Sequence, residues 1–112
     1  MTQYRTEHDL LGNKEVPKDA YYGIQTLRAK ENFPITGLKP HKNIFRCLGA
    51  VKKAAAKANA ELGLLDEKVS KAIIKASEEV QEGKFDDEFI VDAIQGGAGT
   101  SINMNVNEVI AN

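Results

Sequence analysis

Apolar residues recur at helical spacing in two long stretches of this chain. From Asn43 they fall at Ile44, Leu48, Val51, Ala55, Ala58 and Leu62, in alternating steps of four and three. That pattern predicts one helix with a single apolar stripe, which Gly63 is placed to end. Ala50, Ala54, Ala56 and Ala60 add high helix propensity. A second helix is predicted from Asp66, with Val69, Ile73, Ala76 and Val80 on one face and Gly83 as its stop. Joined through Leu64-Leu65, the two should form an antiparallel helical hairpin. Both stripes are narrow and Ala-rich, so at about 25 cal/mol per Å² of buried apolar area the hairpin is weak alone. It needs a partner surface, from later chain or another subunit.

The flanks are less regular. Tyr4 to Leu10 alternates weakly, Gly12-Asn13 interrupts, and Lys14-Glu15-Val16 runs into Pro17, which predicts a short hairpin or extended arm over residues 1–18. Residues 19–33 read as a short helix, with Asp19 as its N-cap and Tyr22, Leu27 and Ala29 as its apolar positions. Pro34, Gly37 and Pro40 mark a loop. Beyond Asp86, Phe89-Ile90-Val91 is a short apolar cluster, and a glycine-rich run follows, Gly96-Gly97-Ala98-Gly99. Ile102, Val106, Val109 and Ile110 then return to helical spacing, a pattern still running at Asn112. The expectation is one mostly α-helical domain over 1–112, cut within its last helix.

The chain has 112 residues, 42% hydrophobic and 28% charged, so it reads as one soluble globular domain or part of one. Fifteen Lys and Arg against sixteen Asp and Glu leave a net charge of −1, without the basic excess expected of a nucleic-acid binder. No apolar run approaches the roughly 18 residues of a membrane span. The first ten residues carry Arg5, Glu7, His8 and Asp9 and no apolar core, so no secretory signal is expected. A single cysteine, Cys47, excludes an internal disulfide and a Cys metal cluster. The cytoplasm is the default compartment.

The glycine run is the most informative stretch for chemistry. Glycine lets the main chain approach a ligand closely, and Thr100 and Ser101 follow at what should be the first turn of a helix. Free N–H groups, the positive end of the helix dipole and two hydroxyls meet there, which suits a phosphate or a carboxylate. Equally, Thr100 could do no more than cap the helix. A Walker A loop is excluded, because Gly99 stands where its Lys belongs. A dinucleotide fingerprint is weak, because Ile102 replaces its third glycine and no acidic ribose ligand follows. A carboxylate site for a small acid meets no such objection.

Asparagine is dense in the last helix, at 103, 105, 107 and 112, although each costs about 0.5 kcal/mol or more against Ala. They suit a polar ligand site, bonds across a buried helix interface or a face turned to water. Solvent exposure is the default for any one of them, and Asn103, one turn beyond Thr100, is the best placed to share its site. The remaining candidates read as structural. His8 and His41 are surface loop residues, Glu78-Glu79 and Glu82 a solvated face, Cys47 a half-buried small residue, and Tyr21-Tyr22 packing. No Ser-His-Asp, Cys-His or paired-carboxylate arrangement is present, so a catalytic base is not expected within the chain.

Three segments resemble one known family. Glu15-Val16-Pro17-Lys18-Asp19-Ala20-Tyr21-Tyr22-Gly23-Ile24-Gln25-Thr26, then Glu31-Asn32-Phe33-Pro34-Ile35, and above all the run from Gln95-Gly96-Gly97-Ala98-Gly99-Thr100-Ser101 to Asn112 are similar to the start of the aspartase/fumarase superfamily. Ala98, where fumarases usually have Ser, and Tyr22-Gly23-Ile24, where they have Trp, favour the aspartase branch. The resemblance implies a small, mostly helical N-terminal lyase domain ahead of a long helical bundle, in a homotetramer with active sites shared between subunits. It implies elimination of ammonia from L-aspartate to give fumarate, without metal or organic cofactor, through an aci-carboxylate intermediate. Thr100 matches the family's substrate-binding Thr, and Gly99 and Ser101 its neighbours. The family's catalytic Ser lies in a Gly-Ser-Ser-x-Met-Pro-x-Lys-x-Asn-Pro motif downstream of position 112, so the residues in hand should be inactive, and unstable or self-associating, alone. A class II fumarase domain and a ligand-free helical interaction module are the alternatives.

Overall fold

Two strands and four α-helices follow one another in the computed structural model, which describes residues Met1–Asn112. They are β1 (Tyr4–Asp9), β2 (Gly12–Pro17), α1 (Ile24–Asn32), α2 (Lys42–Glu61), α3 (Glu67–Gln81) and α4 (Thr100–Ala111), with a 3-10 turn at Asp86–Glu88. β1 and β2 pair antiparallel, Tyr4 opposite Pro17 and Asp9 opposite Gly12, so the expected hairpin forms. The chain is mostly helical, as its periodicity predicts. No helix is long and apolar enough to cross a membrane.

The inner face of the hairpin carries Arg5, Glu7, Asp9 and Lys14 beside the fully buried Val16. Arg5 donates to the carbonyls of Pro17, Lys18, Ala20 and Tyr22, at 2.7–2.9 Å. Those carbonyls are therefore taken, and residues 17–22 do not enter a helix. This corrects the expectation of a helix starting at Asp19. α1 begins at Ile24, with Gly23 at its N-cap and no capping side chain. Carboxylates remote in sequence take the place of the local cap: Glu7 accepts from Ile24 N–H at 3.0 Å, and Glu108 from Gln25 and Thr26 N–H at 3.1 and 2.6 Å.

The helical hairpin forms between its expected punctuation marks. Asp66 caps α3 by accepting from Val69 N–H at 3.1 Å, and Gly63 and Gly83 take the left-handed conformation that ends each helix, at φ 73° and 81°. The packed face of α2 is displaced from the predicted stripe, of which Leu48 still packs against the core. Ile44, Val51 and Leu62 of the apolar stripe are 44%, 58% and 72% exposed, whereas Phe45, Gly49 and Ala56 are buried. Gly49 lies so close to α3 that a Cβ there would stand 3.0 Å from the Ser77 carbonyl and from Val80. Ser70 and Ser77 are buried opposite, Ser70 donating to the Ala56 carbonyl at 3.3 Å. Small residues let the two backbones approach, and that contact outweighs the burial of larger side chains one position away.

A core of Phe45, Val80, Phe89, Val91, Val106 and Val109 lies where α2, α3 and α4 meet the extended segment after the 3-10 turn. The rings of Phe45 and Phe89 stack at 4.4 Å. That extended segment pairs with no strand. Asn105, fully buried, accepts from Ile90 N–H and donates to the Glu88 carbonyl, both at 3.0 Å, which corrects its expected exposure. Asp92, also buried, holds the loop after α1. Its carboxylate accepts from Ile94 N–H, from the Thr36 hydroxyl and N–H, and from Gly37 N–H, at 2.8–2.9 Å.

Those donors, the Ile94 N–H foremost, hold the Asp92 carboxyl at about 2 against an ordinary 3.8, in opposition to burial, which raises it. A folded-state value below the unfolded one stabilises the fold above the unfolded value, and that contribution is lost as pH falls from the ordinary value to the folded one. Denaturant melts of the chain and of Asp92→Asn are therefore expected to differ most at neutral pH and to converge between pH 4 and 2. A gap between the two that is constant from pH 7 to 2 would contradict this account of the latch.

Candidate functional site

The glycine loop is staked at both ends. Gln95 donates from its Nε2 to the Asp92 carbonyl at 2.9 Å and accepts at its Oε1 from Ile102 N–H at 3.0 Å, so one amide bridges the entry of the loop and the first turn of α4. Within it, Gly99 N–H closes a turn onto the Gly96 carbonyl at 3.1 Å. Gly99 is the N-cap of α4 at φ 74°, with no side-chain cap bond. Thr100 is accordingly the first helical residue and not the cap. Of the glycines in the run, only Gly99 uses a conformation that other residues resist.

Gln95 satisfies one N–H of the first turn and leaves two. The N–H groups of Thr100 and Ser101 have no partner within the chain and stand at the positive end of the helix dipole. They border an open hollow of about 370 Å³, lined on one side by Gly96, Gly97, Ala98, Thr100 and Ser101 and on the other by Gln25, Arg28 and Asn32 of α1. Leu11, Phe33 and Met104 contribute apolar walls. Arg28 is the sole cation on this surface. Its Nε and one Nη donate to Asp9 at 2.8 and 2.9 Å, and the same Nη to the Gly12 carbonyl at 3.2 Å. The Arg28 hydrogen bonds hold the Asp9 carboxyl below its ordinary range. The remaining Nη of Arg28 is without a partner.

The structure brings Thr100 and Ser101 to one hollow, with Gly99 setting the angle at which α4 begins. Asn103 lies elsewhere: its Oδ1 accepts from Lys52 Nζ at 2.6 Å, towards α2. Arg28, Gln25 and Gln95 are the residues that spacing alone did not suggest. Arg28 and Gln25 sit on a short helix without a clear apolar stripe, and Gln95 acts through a contact seven residues away.

The other candidates have structural places. His8 lies in β1 and not in a loop, against Asn13 at 2.8 Å. His41 is the N-cap of α2 and accepts from Asn43 N–H. Cys47 is exposed, not half-buried. Burial, aided by Glu88, pushes the Tyr22 phenol above 10.0, away from use as a base near neutrality. Glu78 pairs with Lys53 at 2.7 Å, which lowers its carboxyl. No three His, Cys, Asp or Glu side chains are grouped to hold a metal ion. A larger groove of about 640 Å³ runs between α2, α3 and α4, but its walls are chiefly Ala, Val, Ile and Leu, and its one cation, Lys52, is the donor to Asn103. Its chemistry suits helix packing and not a small acid.

Comparison with known proteins gives this geometry a context. A family model described as Lyase matches residues 12–112. Aspartate ammonia-lyase of Bacillus sp is 66% identical over 111 residues, 99% of this chain and 24% of that protein. Class II fumarate hydratase of Halobacterium salinarum is 58% identical over 109 residues, covering 97% of this chain and 23% of that protein. Among solved structures, a fumarate lyase:delta crystallin from Brucella melitensis in native form superposes with a TM-score of 0.93 at 50% identity, over 98% of this chain and 26% of that one. The chain thus spans about a quarter of the length of the relatives it matches.

The loop geometry separates two kinds of glycine. Gly99→Ala is expected to destabilise the chain by about 1 kcal/mol, because its φ is left-handed. Gly96→Ala and Gly97→Ala are expected to leave thermal stability unaltered, because a Cβ at either position meets nothing within 4 Å. Equal losses at all three positions in thermal melts would refute the assignment of the left-handed turn to Gly99 alone.

Proposed function

The chain belongs to the lyase family, and on that premise we propose that it is the N-terminal part of an aspartate ammonia-lyase and supplies one wall of its dicarboxylate site. The observation that carries this reading is the pair of unpartnered N–H groups at Thr100 and Ser101, two hydroxyl-bearing residues that line one hollow together with Arg28. Donors from a helix start, two hydroxyls and one guanidinium suit a carboxylate.

Elimination of ammonia from L-aspartate begins when a base removes a proton from the carbon beside one carboxylate. Negative charge then builds on that carboxylate before the amine departs from the neighbouring carbon. Fixed donors aimed at a carboxylate strengthen as this charge grows, which makes such a helix start useful beyond substrate capture. Thr100 and Ser101 hold a carboxylate, Gly99 sets the angle at which they meet it, and Asn103 acts behind them by steadying the first turns of α4. The base comes from residues outside these 112. We further propose a cytoplasmic homotetramer that uses no metal or organic cofactor, in which other helices cover the exposed stripe of Ile44, Val51 and Leu62 on α2.

A class II fumarase is the second reading, favoured by the Halobacterium relative at 58% identity. Ala98 and the Tyr22-Gly23-Ile24 segment support the aspartase reading over it. Ammonia release from L-aspartate by the complete enzyme, without dehydration of L-malate, is the expected outcome, and the reverse would establish the second reading.

In the complete enzyme, Thr100→Val is expected to lower kcat/KM for L-aspartate roughly 10- to 150-fold, the effect of losing a hydrogen bond of about 1.5–3 kcal/mol to a charged group. Steady-state kinetics identical to the parent enzyme would remove Thr100 from the site. The 112-residue chain alone should release no fumarate.

A further inference from the structure

We propose that Glu108 is a positioning residue: from α4 it holds the first turn of α1, and so sets where Arg28 and Gln25 stand relative to Thr100 and Ser101. The proposal rests on the function assigned above to the hollow between these residues.

The two walls of the hollow come from helices that are distant in the chain, so their spacing depends on what ties α1 to α4. α1 has no capping side chain of its own at Gly23. Glu108 fills that lack three times over. It accepts from Gln25 N–H at 3.1 Å, from Thr26 N–H at 2.6 Å and from the Thr26 hydroxyl at 2.6 Å. Thr26 is fully buried, so the carboxylate has one seat and the helix one orientation against it. The negative charge also complements the positive end of the α1 dipole.

Gly23 reports how closely this seat is built. Its φ of −122° is open to any residue, yet a Cβ there would collide with the Glu108 carboxylate and stand 2.9 Å from Glu7 Oε1. The convergence of the two carboxylates, and not backbone conformation, excludes a side chain. Glu108 itself lies eight residues beyond Thr100, about 12 Å along the helix, and does not line the hollow. Whatever it does for the ligand passes through α1.

Five variants of the complete enzyme test this: Glu108→Gln, Thr26→Val, Gly23→Ala, the conservative Thr26→Ser and, as reference, Thr100→Val. At a temperature where circular dichroism finds each fully folded, the first three are expected to raise KM for L-aspartate roughly tenfold or more, with kcat changed less than about threefold. Thr26→Ser, which keeps the hydroxyl, should restore the parent KM. A merely structural Glu108 would lower the melting temperature and leave KM alone. That result, with KM raised by Thr100→Val only, overturns the positioning role while leaving the hollow as the substrate site. Parent kinetics in Thr100→Val as well would overturn both. Should Glu108→Gln fail to fold, Thr26→Val, which removes a single hydroxyl, decides the matter.

Discussion

Backbone groups that no helix or strand satisfies govern this fold, and side chains far away in sequence meet them. Arg5 gathers four carbonyls of residues 17–22, Glu7 and Glu108 supply the missing cap of α1, Asp92 holds the turn at Thr36-Gly37, and Asn105 holds the extended segment at Ile90. Leaving such a group unmet costs about 1–3 kcal/mol where it is fully buried and less where water reaches it, so each anchor is comparable to the burial of one apolar side chain. The irregular segments are therefore ordered by polar anchors, with the small core of valines and two phenylalanines filling the space between them. The glycine loop is one more instance. Asp92 and Gln95 fix its approach, and it reaches α4 with two N–H groups left open.

The same distribution explains what the sequence could and could not tell. α2 and α3 were legible because their signals are local: alternating steps of three and four, Asp66 as a cap, Gly63 and Gly83 as stops. The packed face of α2 was not, because periodicity counts large apolar residues while the contact is made by Gly49 and Ala56 against Ser70 and Ser77. The start of α1 was misplaced because its cap lies at Glu7 and Glu108, which no window around Asp19 contains. Thr100 and Ser101 stood out as glycine followed by hydroxyls at a helix start. Arg28 did not, since only the tertiary fold brings α1 to that loop.

Little of the chain is buried, 16 of 112 residues, and several large apolar side chains on α2 and on the α2–α3 turn face outward. Ile44, Val51, Leu62 and Leu64 are the large apolar side chains that α2 and its turn do not bury within the chain. They are then available to the other helices that the proposed homotetramer would supply. The chain spans about a quarter of the length of the relatives it matches.

The central claim is that a substrate carboxylate is held by the start of α4. Its most direct test is a crystal structure of the complete enzyme with fumarate bound. A carboxylate within about 3 Å of the Thr100 and Ser101 N–H groups, with Arg28 on the opposite wall, is the predicted result. Fumarate bound elsewhere, with only water against the open N–H groups of α4, would contradict it.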